Sequence, residues 1–156
     1  MSLTIQRATI EDAAAILQLQ KRAYQSEAAL YPDDVIPPLL QTLEALQADF
    51  AAQIFLKASF DSILVGSVRA RLQLPTCFVG RLIVDPDFQK RGIGTALMLE
   101  IEQSCSAAQR FELFTGHKSD QNLRLYQKLG YREFKRESIS QSLTLVYMEK
   151  SRKANL

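Results

Sequence analysis

The chain has few of the residues that several functional classes require. Its 156 residues include two cysteines, Cys77 and Cys105, and a single histidine, His117. The cysteines form neither a CxxC pair nor a Cys/His cluster with zinc spacing, so we expect no metal site and two small core side chains in a reducing compartment. His117 has no carboxylate partner nearby in the sequence and is interpreted as a loop or capping residue. No catalytic triad is predicted.

Excess charge and long apolar runs are also missing. Nineteen Lys and Arg residues against seventeen Asp and Glu residues give a net charge of +2, which is too small for the phosphate footprint of a nucleic-acid-binding protein. No window approaches the roughly 18 apolar residues of a membrane span, and the first residues lack the pattern of a signal peptide. We therefore expect a cytoplasmic protein with neither a nucleic-acid nor a membrane partner.

The composition that remains is that of an ordinary globular chain, with 47% hydrophobic and 23% charged residues. At roughly 150 residues per domain, the length predicts one domain. We place this domain at residues 1–150 and expect a basic, frayed tail over residues 151–156.

Apolar periodicity predicts the order of the secondary-structure elements. Alternation over residues 3–8 predicts a strand, and Thr9 is the predicted cap of a helix that runs to residue 30. The remaining predicted elements are a helix over 39–54, strands over 54–60, 63–72 and 76–84, a helix over 95–102, a strand over 111–115, a helix over 121–129, and strands over 131–134 and 143–148. The order β-α-α-β-β-β-α-β-α-β-β predicts an α/β fold with a mixed, mostly antiparallel sheet flanked by helices.

The segment from Asp85 to Thr95 indicates an anion site. It joins an apolar strand to a helix, and Gly92 and Gly94 allow close approach of the backbone. The helix N-terminus offers unpaired amides to an anion, and Lys90 and Arg91 add positive charge, which favours a di- or polyphosphate. A plain strand-to-helix turn explains a lone GxG equally well. The segment is neither a dinucleotide fingerprint nor a P-loop, because the third glycine and the GK[ST] sequence are missing.

A second segment, Ser119 to Tyr131, places Tyr126 in a short helix with Asn122 one turn earlier on the same face. Together the two segments resemble the Gcn5-related N-acetyltransferase (GNAT) family. Gln89 to Gly94 match the family's coenzyme A pyrophosphate motif, and Leu125 to Tyr131 match its LYxKxGF-like ending. The predicted element order is also that of the family, so the resemblance covers essentially the whole chain.

The resemblance implies that acetyl-CoA is the acyl donor. The strand before the glycines would diverge from the next strand and pair with the pantetheine arm, and the amides of the glycine segment would hold the pyrophosphate. Ser119 stands where the family often has an Asn that contacts pantetheine, and Asn122 is the alternative for that contact. The implied cofactor-binding residues are Leu82, Ile83, Val84, Gln89, Lys90, Arg91, Gly92, Ile93, Gly94, Thr95, Ser119 and Asn122.

Acetyl transfer to an amine needs two proton-handling groups. An amine of pKa about 10.4 is almost wholly protonated at neutral pH, so a proton acceptor is expected. Glu112 is the predicted acceptor, directly or through a water, and a solvated strand carboxylate is the alternative. Tyr126 falls on the tyrosine that in the family commonly protonates the departing thiolate, and a phenol of pKa about 10 can do so. The alternative for Tyr126 is an aromatic side chain that packs the helix.

A cluster of polar residues between the first two helices is the predicted acceptor site, since this region often covers the acceptor in the family. Its carboxylates would attract a cationic amine, although a solvated helix end and turn explains the same residues. The cluster consists of Tyr24, Glu27, Tyr31, Asp33 and Asp34.

We therefore expect an N-acetyltransferase that moves an acetyl group from acetyl-CoA to a primary amine of a small molecule. No residue presents itself as a covalent acyl carrier, which favours direct transfer in a ternary complex by a monomer or homodimer. A protein N-terminal or lysine acetyltransferase and a non-catalytic acyl-CoA-binding module are the alternatives.

Overall fold

A mixed seven-stranded sheet organises the computed structural model, which describes residues 2–152. The strands are β1 Leu3–Arg7, β2 Ile54–Phe60, β3 Ile63–Gln73, β4 Thr76–Val84, β5 Arg110–Gly116, β6 Arg132–Ser138 and β7 Thr144–Ser151. The helices are α1 Ala13–Leu30, α2 Pro37–Leu40, α3 Leu43–Ala52, α4 Ile93–Ser104 and α5 Asp120–Lys128. The strand order is β1-β2-β3-β4-β5-β7-β6, and β4 and β5 are the parallel pair. The predicted fold class is confirmed.

The observed elements differ from the prediction mainly at their ends. The short α2 lies within the proline-rich break, with Pro37 in the first turn, where a missing N–H is tolerated. α4 begins at Ile93, two residues earlier than predicted, because Gly92 supplies a left-handed cap with φ of 80°. β6 is longer than predicted. All of its residues are exposed, so no apolar alternation marks the full strand in the sequence.

Helices cover both faces of the sheet. Phe55 and Leu56 are neighbours in β2 and point to opposite faces, yet both are buried. Leu56 belongs to the main core, which includes Leu97 of α4, and Phe55 packs in a second cluster with Ile16 of α1. The burial of Cys77 and Cys105 agrees with their predicted role as core side chains, and their Sγ atoms lie 3.0 Å apart as free thiols.

The end of the described chain is tied to α4. Lys150 Nζ donates to Glu102 Oε1 over 2.8 Å, and Ser151 is the last residue of β7. The Arg152 guanidinium donates to the backbone oxygens of Ala108, Glu102 and Cys105 over 2.8 to 3.0 Å. The expectation of a frayed tail is therefore wrong for Ser151 and Arg152. Residues 153–156, the rest of the predicted tail, lie outside the described residues.

Two irregularities in β4 open the sheet where the site forms. Within residues 2–152 the β4–β5 pairing ends at Phe78 and Glu112, so the strands diverge beyond this pair. In addition, β4 has a bulge at Arg81 and Leu82, which lie between the residues paired with Arg69 and Ser67 of β3. A bulge bends its strand and redirects side chains. The backbone of residues 82–84 therefore leaves the β5 side of the sheet, as the resemblance implied.

Candidate active site

A groove of about 540 Å³ runs past the N-terminus of α4, with further walls from α1, β4 and α5. Ten of the twelve predicted cofactor-binding residues line it, namely Leu82, Ile83, Val84, Gln89, Lys90, Gly92, Ile93, Gly94, Thr95 and Asn122. The other two lie elsewhere. Arg91 is exposed, with its guanidinium 5.1 Å from the ring centroid of Phe88, and Ser119 is buried at the start of α5.

Local contacts hold the loop before α4 in shape. Asp85 Oδ1 accepts a hydrogen bond from the Asp87 N–H, and Arg22 of α1 donates to both oxygens of the Asp85 carboxylate over 3.0 and 3.3 Å. Lys90 and Gly92 both have positive φ, which turns the chain into the helix. Ala96 N–H bonds back to the Gly92 carbonyl, and the preceding amides of residues 93–95 have no acceptor in the helix itself. Residues 93–95 line the groove, and unpaired amides at a helix N-terminus favour anions.

Two basic residues of α5 also line the groove and were missed by the sequence analysis. Arg124 and Lys128 lie one turn apart and share a helix face with Gln121, which lines the groove as well. Together with Lys90 they place three cationic side chains along the groove. The i, i+3, i+7 spacing after the motif could have revealed this face in the sequence.

A second cavity, of about 930 Å³, opens on the other side of the diverging strands. The predicted acceptor and catalytic residues that line it are Tyr24, Glu27, Tyr31, Asp34, Glu112 and Tyr126. Asp33 does not line it. Its exposed carboxylate accepts a hydrogen bond from Ser142 Oγ over 3.4 Å. We call this second space the acceptor cavity.

The groove and the acceptor cavity meet at Tyr24, Glu27, Leu82 and Asn122, which line both. Glu27 Oε1 accepts hydrogen bonds from Ser119 Oγ over 2.6 Å and from Asn122 Nδ2 over 3.4 Å. The Ser119 hydroxyl therefore donates its proton to Glu27. Asn122 makes the longer of the two bonds and also lines the groove.

Tyr126 lies on the acceptor cavity close to this junction. Burial raises the pKa of Tyr126, and the neighbouring Tyr24 and Glu27 raise it further, so the phenol stays protonated at neutral pH. Its ring meets Tyr131 edge-on at 6.0 Å, and its hydroxyl forms no hydrogen bond with another residue of the described chain. The hydroxyl is thus a proton donor without a fixed acceptor.

Glu112 and Tyr31 line the acceptor cavity in fixed positions. Arg110 donates to Glu112 Oε1 over 2.8 Å and to Glu149 over 2.9 Å, so Glu112 is part of an ion-pair network. The Tyr31 hydroxyl accepts a hydrogen bond from the Lys118 N–H and occupies the space that a Cβ on Gly116 would fill. Tyr31 thereby ties α1 to the end of β5.

Three arginines on the acceptor cavity were not predicted: Arg69, Arg71 and Arg81. Arg69 is buried and donates to Asp49 over 2.6 Å and to the side-chain oxygens of Gln20 and Gln41, both over 3.0 Å. Burial lowers the pKa of Arg69 to about 10, nearby Arg81 lowers it as well, and Asp49 opposes both effects. Arg69 therefore remains a cation at neutral pH.

His117 is a loop residue, as expected. Its Nδ1 accepts a hydrogen bond from the Thr144 N–H over 3.0 Å, and its own backbone N–H donates to the Thr144 carbonyl. Across the described chain, no cluster of three or more His, Cys, Asp or Glu side chains is arranged to hold a metal ion. The helices within residues 2–152 include none that is both long and apolar enough to cross a bilayer.

Solved structures share this fold. The PaiA N-acetyltransferase from Thermoplasma acidophilum, in complex with coenzyme A, matches with a TM-score of 0.78 and 20% identity over 97% of this chain and 100% of that chain. The ribosomal-protein-S18-alanine N-acetyltransferase from Escherichia coli matches with a TM-score of 0.80 and 16% identity over 96% of this chain and 94% of that chain.

Sequence comparison identifies the family. The protein YqkA from Bacillus subtilis is 27% identical over 133 residues, which are 85% of this chain but 38% of that protein, so the chain spans well under half of that relative's length. The family model for the acetyltransferase (GNAT) domain matches residues 21–152. The chain belongs to the GNAT acetyltransferase domain family.

Proposed function

We propose that this protein transfers an acetyl group from acetyl-CoA directly to a primary amine of a small molecule within a ternary complex. The observation that carries the proposal is the meeting of a cationic groove and a separate cavity at four shared residues. Donor and acceptor can therefore be bound at the same time and react at the junction. Membership of the acetyltransferase family supports this activity.

The donor would lie along the groove. The amides of residues 93–95 would bind the pyrophosphate, while Lys90, Arg124 and Lys128 neutralise its charge. The backbone of residues 82–84, which has left β5, would pair with the pantetheine arm. We assign the side-chain contact with pantetheine to Asn122 and not to Ser119, because Asn122 lines the groove and Ser119 does not. Ser119 also donates to Glu27 over 2.6 Å, whereas the bond from Asn122 to the same oxygen is longer, at 3.4 Å. Arg91 would act only through long-range attraction.

The ammonium group of the acceptor must lose a proton before its nitrogen can attack the thioester. Glu27 is our first candidate for the proton acceptor, because it lies at the junction where the two substrates meet. Glu112, the residue predicted from the sequence, is the second candidate. It lines the acceptor cavity but not the groove, and it is engaged by Arg110.

Tyr126 would donate the proton that the departing thiolate needs. Burial and the neighbouring Tyr24 and Glu27 raise its pKa and so keep the hydroxyl protonated. Glu27 would then accept a proton from the acceptor amine, and Tyr126 would donate a proton to the thiolate.

A thiol-release screen tests the proposal. Acetyl-CoA is mixed with the protein and a panel of polyamines, amino acids, aminoglycosides and peptides, and free thiol is measured. Turnover with a small amine supports the proposal. Turnover with peptides alone would indicate a protein acetyltransferase, and coenzyme A binding without thiol release from any acceptor would indicate a binding module.

A further inference from the structure

The acceptor cavity carries positive charge that the steps above do not use. Arg71 and Arg81 both line it, and neither forms an ion pair with a carboxylate of residues 2–152. Asp49, which also lines the cavity, is already engaged by Arg69 and by the side-chain amide of Gln41 over 2.7 Å. No carboxylate of the described residues therefore neutralises Arg71 or Arg81 through an ion pair.

Arg81 is the more deeply placed of these two arginines. It is half-buried, and its Nη1 lies 3.5 Å from Gln41 Oε1, at the outer limit of a hydrogen bond. Its φ of 50° is unusual for a residue with a side chain and belongs to the β4 bulge. Strain of this kind is typical of functional sites. The bulge sets the Arg81 side chain on the acceptor cavity, next in sequence to Leu82 at the junction.

Negative charge lies elsewhere on the same cavity. Asp34 Oδ2 is buried and has no hydrogen-bond partner within residues 2–152. This oxygen has almost no accessible surface, so Asp34 adds negative charge to the cavity without offering Oδ2 to a ligand. Glu27 adds a second carboxylate at the junction. The cavity therefore offers separate sites for a cation and an anion.

We propose that the acceptor is a free amino acid with an apolar side chain. Its carboxylate would bind Arg81, its ammonium would bind at Glu27, and Arg71 at the exposed side would attract the anion. This inference rests on the proposed acetyl transfer. In an α-amino acid one carbon joins the two charged groups, which matches the adjacency of Arg81 to the junction. Apolar walls are available for the side chain, at Phe78, Phe114, Leu145 and Tyr147.

The reaction balances without a further reagent. The ammonium gives a proton to Glu27, the amine nitrogen forms a C–N bond with the thioester carbonyl carbon, and the C–S bond breaks. The nitrogen loses a second proton as the amide forms, and the thiolate takes a proton from Tyr126. The second proton of the nitrogen restores Tyr126 through solvent, and Glu27 releases its proton, so each turnover releases one proton. The products are an N-acetyl amino acid and free coenzyme A.

A protein N-terminus would not satisfy the same site. In a peptide the carboxylate of the first residue is a neutral amide, so the Arg81 guanidinium would be desolvated without an anionic partner. The inference thus separates free amino acids from proteins as acceptors, and an amino acid amide imitates the peptide in a test.

The test compares matched acceptors with the full chain and acetyl-CoA. Thiol release is measured for L-phenylalanine, L-leucine and L-methionine, each against its own amide. A charged hydrogen-bond partner contributes roughly 10- to 100-fold, so we expect kcat/KM to favour at least one acid over its amide by this factor. Arg81→Gln should reduce this preference to about threefold or less, through KM for the acid. Arg132→Gln, an exposed arginine of β6 outside both cavities, should retain the preference.

The outcomes separate this inference from the proposed function. Thiol release with the amides as fast as with the acids would overturn the inference alone, as would an undiminished preference in Arg81→Gln. No thiol release from any amine would overturn both. If Arg81→Gln does not fold, two measurements still test the inference. They are the acid and amide rates of Arg81→Lys and the acid and amide rates of the wild type. In the presence of coenzyme A, N-acetyl-L-phenylalanine should stabilise the wild type more than the corresponding N-acetyl amide does.

Discussion

The groove and the acceptor cavity adjoin each other but are built differently. The anion site proposed for the groove comes from one continuous segment, the start of α4, and consists of the backbone amides of residues 93–95. The acceptor cavity is assembled from residues of α1, α3, α5, β3, β4, β5 and β7 and of the segment around α2. A site made by local backbone geometry is encoded in a few neighbouring residues. A site made by distant side chains depends on the whole fold, and the predictions below separate the two.

The largest expected effect concerns Glu27, which belongs to both regions. Glu27→Gln keeps an oxygen for Ser119 but removes the proton acceptor, so kcat/KM for the best amine should fall about 10³-fold, within the usual range for a general base. Steady-state thiol release at neutral pH is the measurement. The matched variant Glu112→Gln should lose less than about tenfold. The reverse result would assign the proton acceptor to Glu112.

Gly94 tests the groove by itself. A Cβ here would lie 3.4 Å from Leu125 Cδ2, an ordinary contact, so the fold should accept a side chain. Gly94→Glu places a carboxylate in the anion site and should weaken coenzyme A binding at least about 100-fold. At 100 times its dissociation constant, coenzyme A should raise the melting temperature of the wild type by about 5 to 10 °C and that of Gly94→Glu hardly at all.

Gly94→Ala is the control for this experiment, because it adds the Cβ without the charge and should keep most of the shift. An equal shift in folded Gly94→Glu would show that the anion site lies elsewhere.

Tyr126 tests the acceptor side of the junction. Tyr126→Phe removes only the hydroxyl, so coenzyme A binding should persist while kcat falls about 10²-fold, the lower end for a general acid. Because the pKa of Tyr126 is raised, its protonated form persists above neutral pH, and the wild-type kcat should show no loss from this group between about pH 7 and pH 10. Unchanged turnover in the folded variant would make Tyr126 a packing residue.

Tyr131→Phe is the matched control for Tyr126→Phe. This tyrosine lines neither cavity, and its hydroxyl donates to Glu102 over 2.8 Å. The control should lose stability, because Glu102 is left with one partner fewer, while its kcat stays near that of the wild type.

The difference between the two regions also explains what the sequence could predict. Apolar periodicity was sufficient for the order of the elements except the short α2, and ten of the twelve residues predicted to bind the cofactor line one groove. Arg81 was missed because the bulge at this position breaks the period of two on which strand reasoning depends. Ser119 stands at a motif position where the family often has Asn. Its hydroxyl donates to Glu27, 92 residues away, and no local pattern indicates such a contact.

The smallest expected effect concerns the start of α1, the helix that carries Tyr24 and Glu27 to the junction. Asp12 accepts hydrogen bonds from the Thr9 N–H and from Lys57 Nζ, both over 2.8 Å. Partial burial raises the pKa of Asp12, but the hydrogen bonds and the charge of Lys57 outweigh burial and lower it below its ordinary value of 3.8. Asp12→Asn should therefore lower the free energy of unfolding at pH 7 by about 1 kcal/mol, the usual effect of a lost cap or a partly exposed ion pair.

The pH dependence of this effect has a definite sign. Because the pKa is lower in the folded state, the carboxylate stabilises the fold fully above the unfolded pKa, and this contribution is lost as the pH falls through the folded pKa. The difference between wild type and Asp12→Asn in urea unfolding should thus be constant from about pH 5 to 7 and shrink below about pH 4. Lys57→Met completes a double-mutant cycle that isolates the ion pair. A difference that stays constant down to pH 2 would mean that Asp12 stabilises α1 through its shape alone, and the placement of Glu27 would then not depend on this charge.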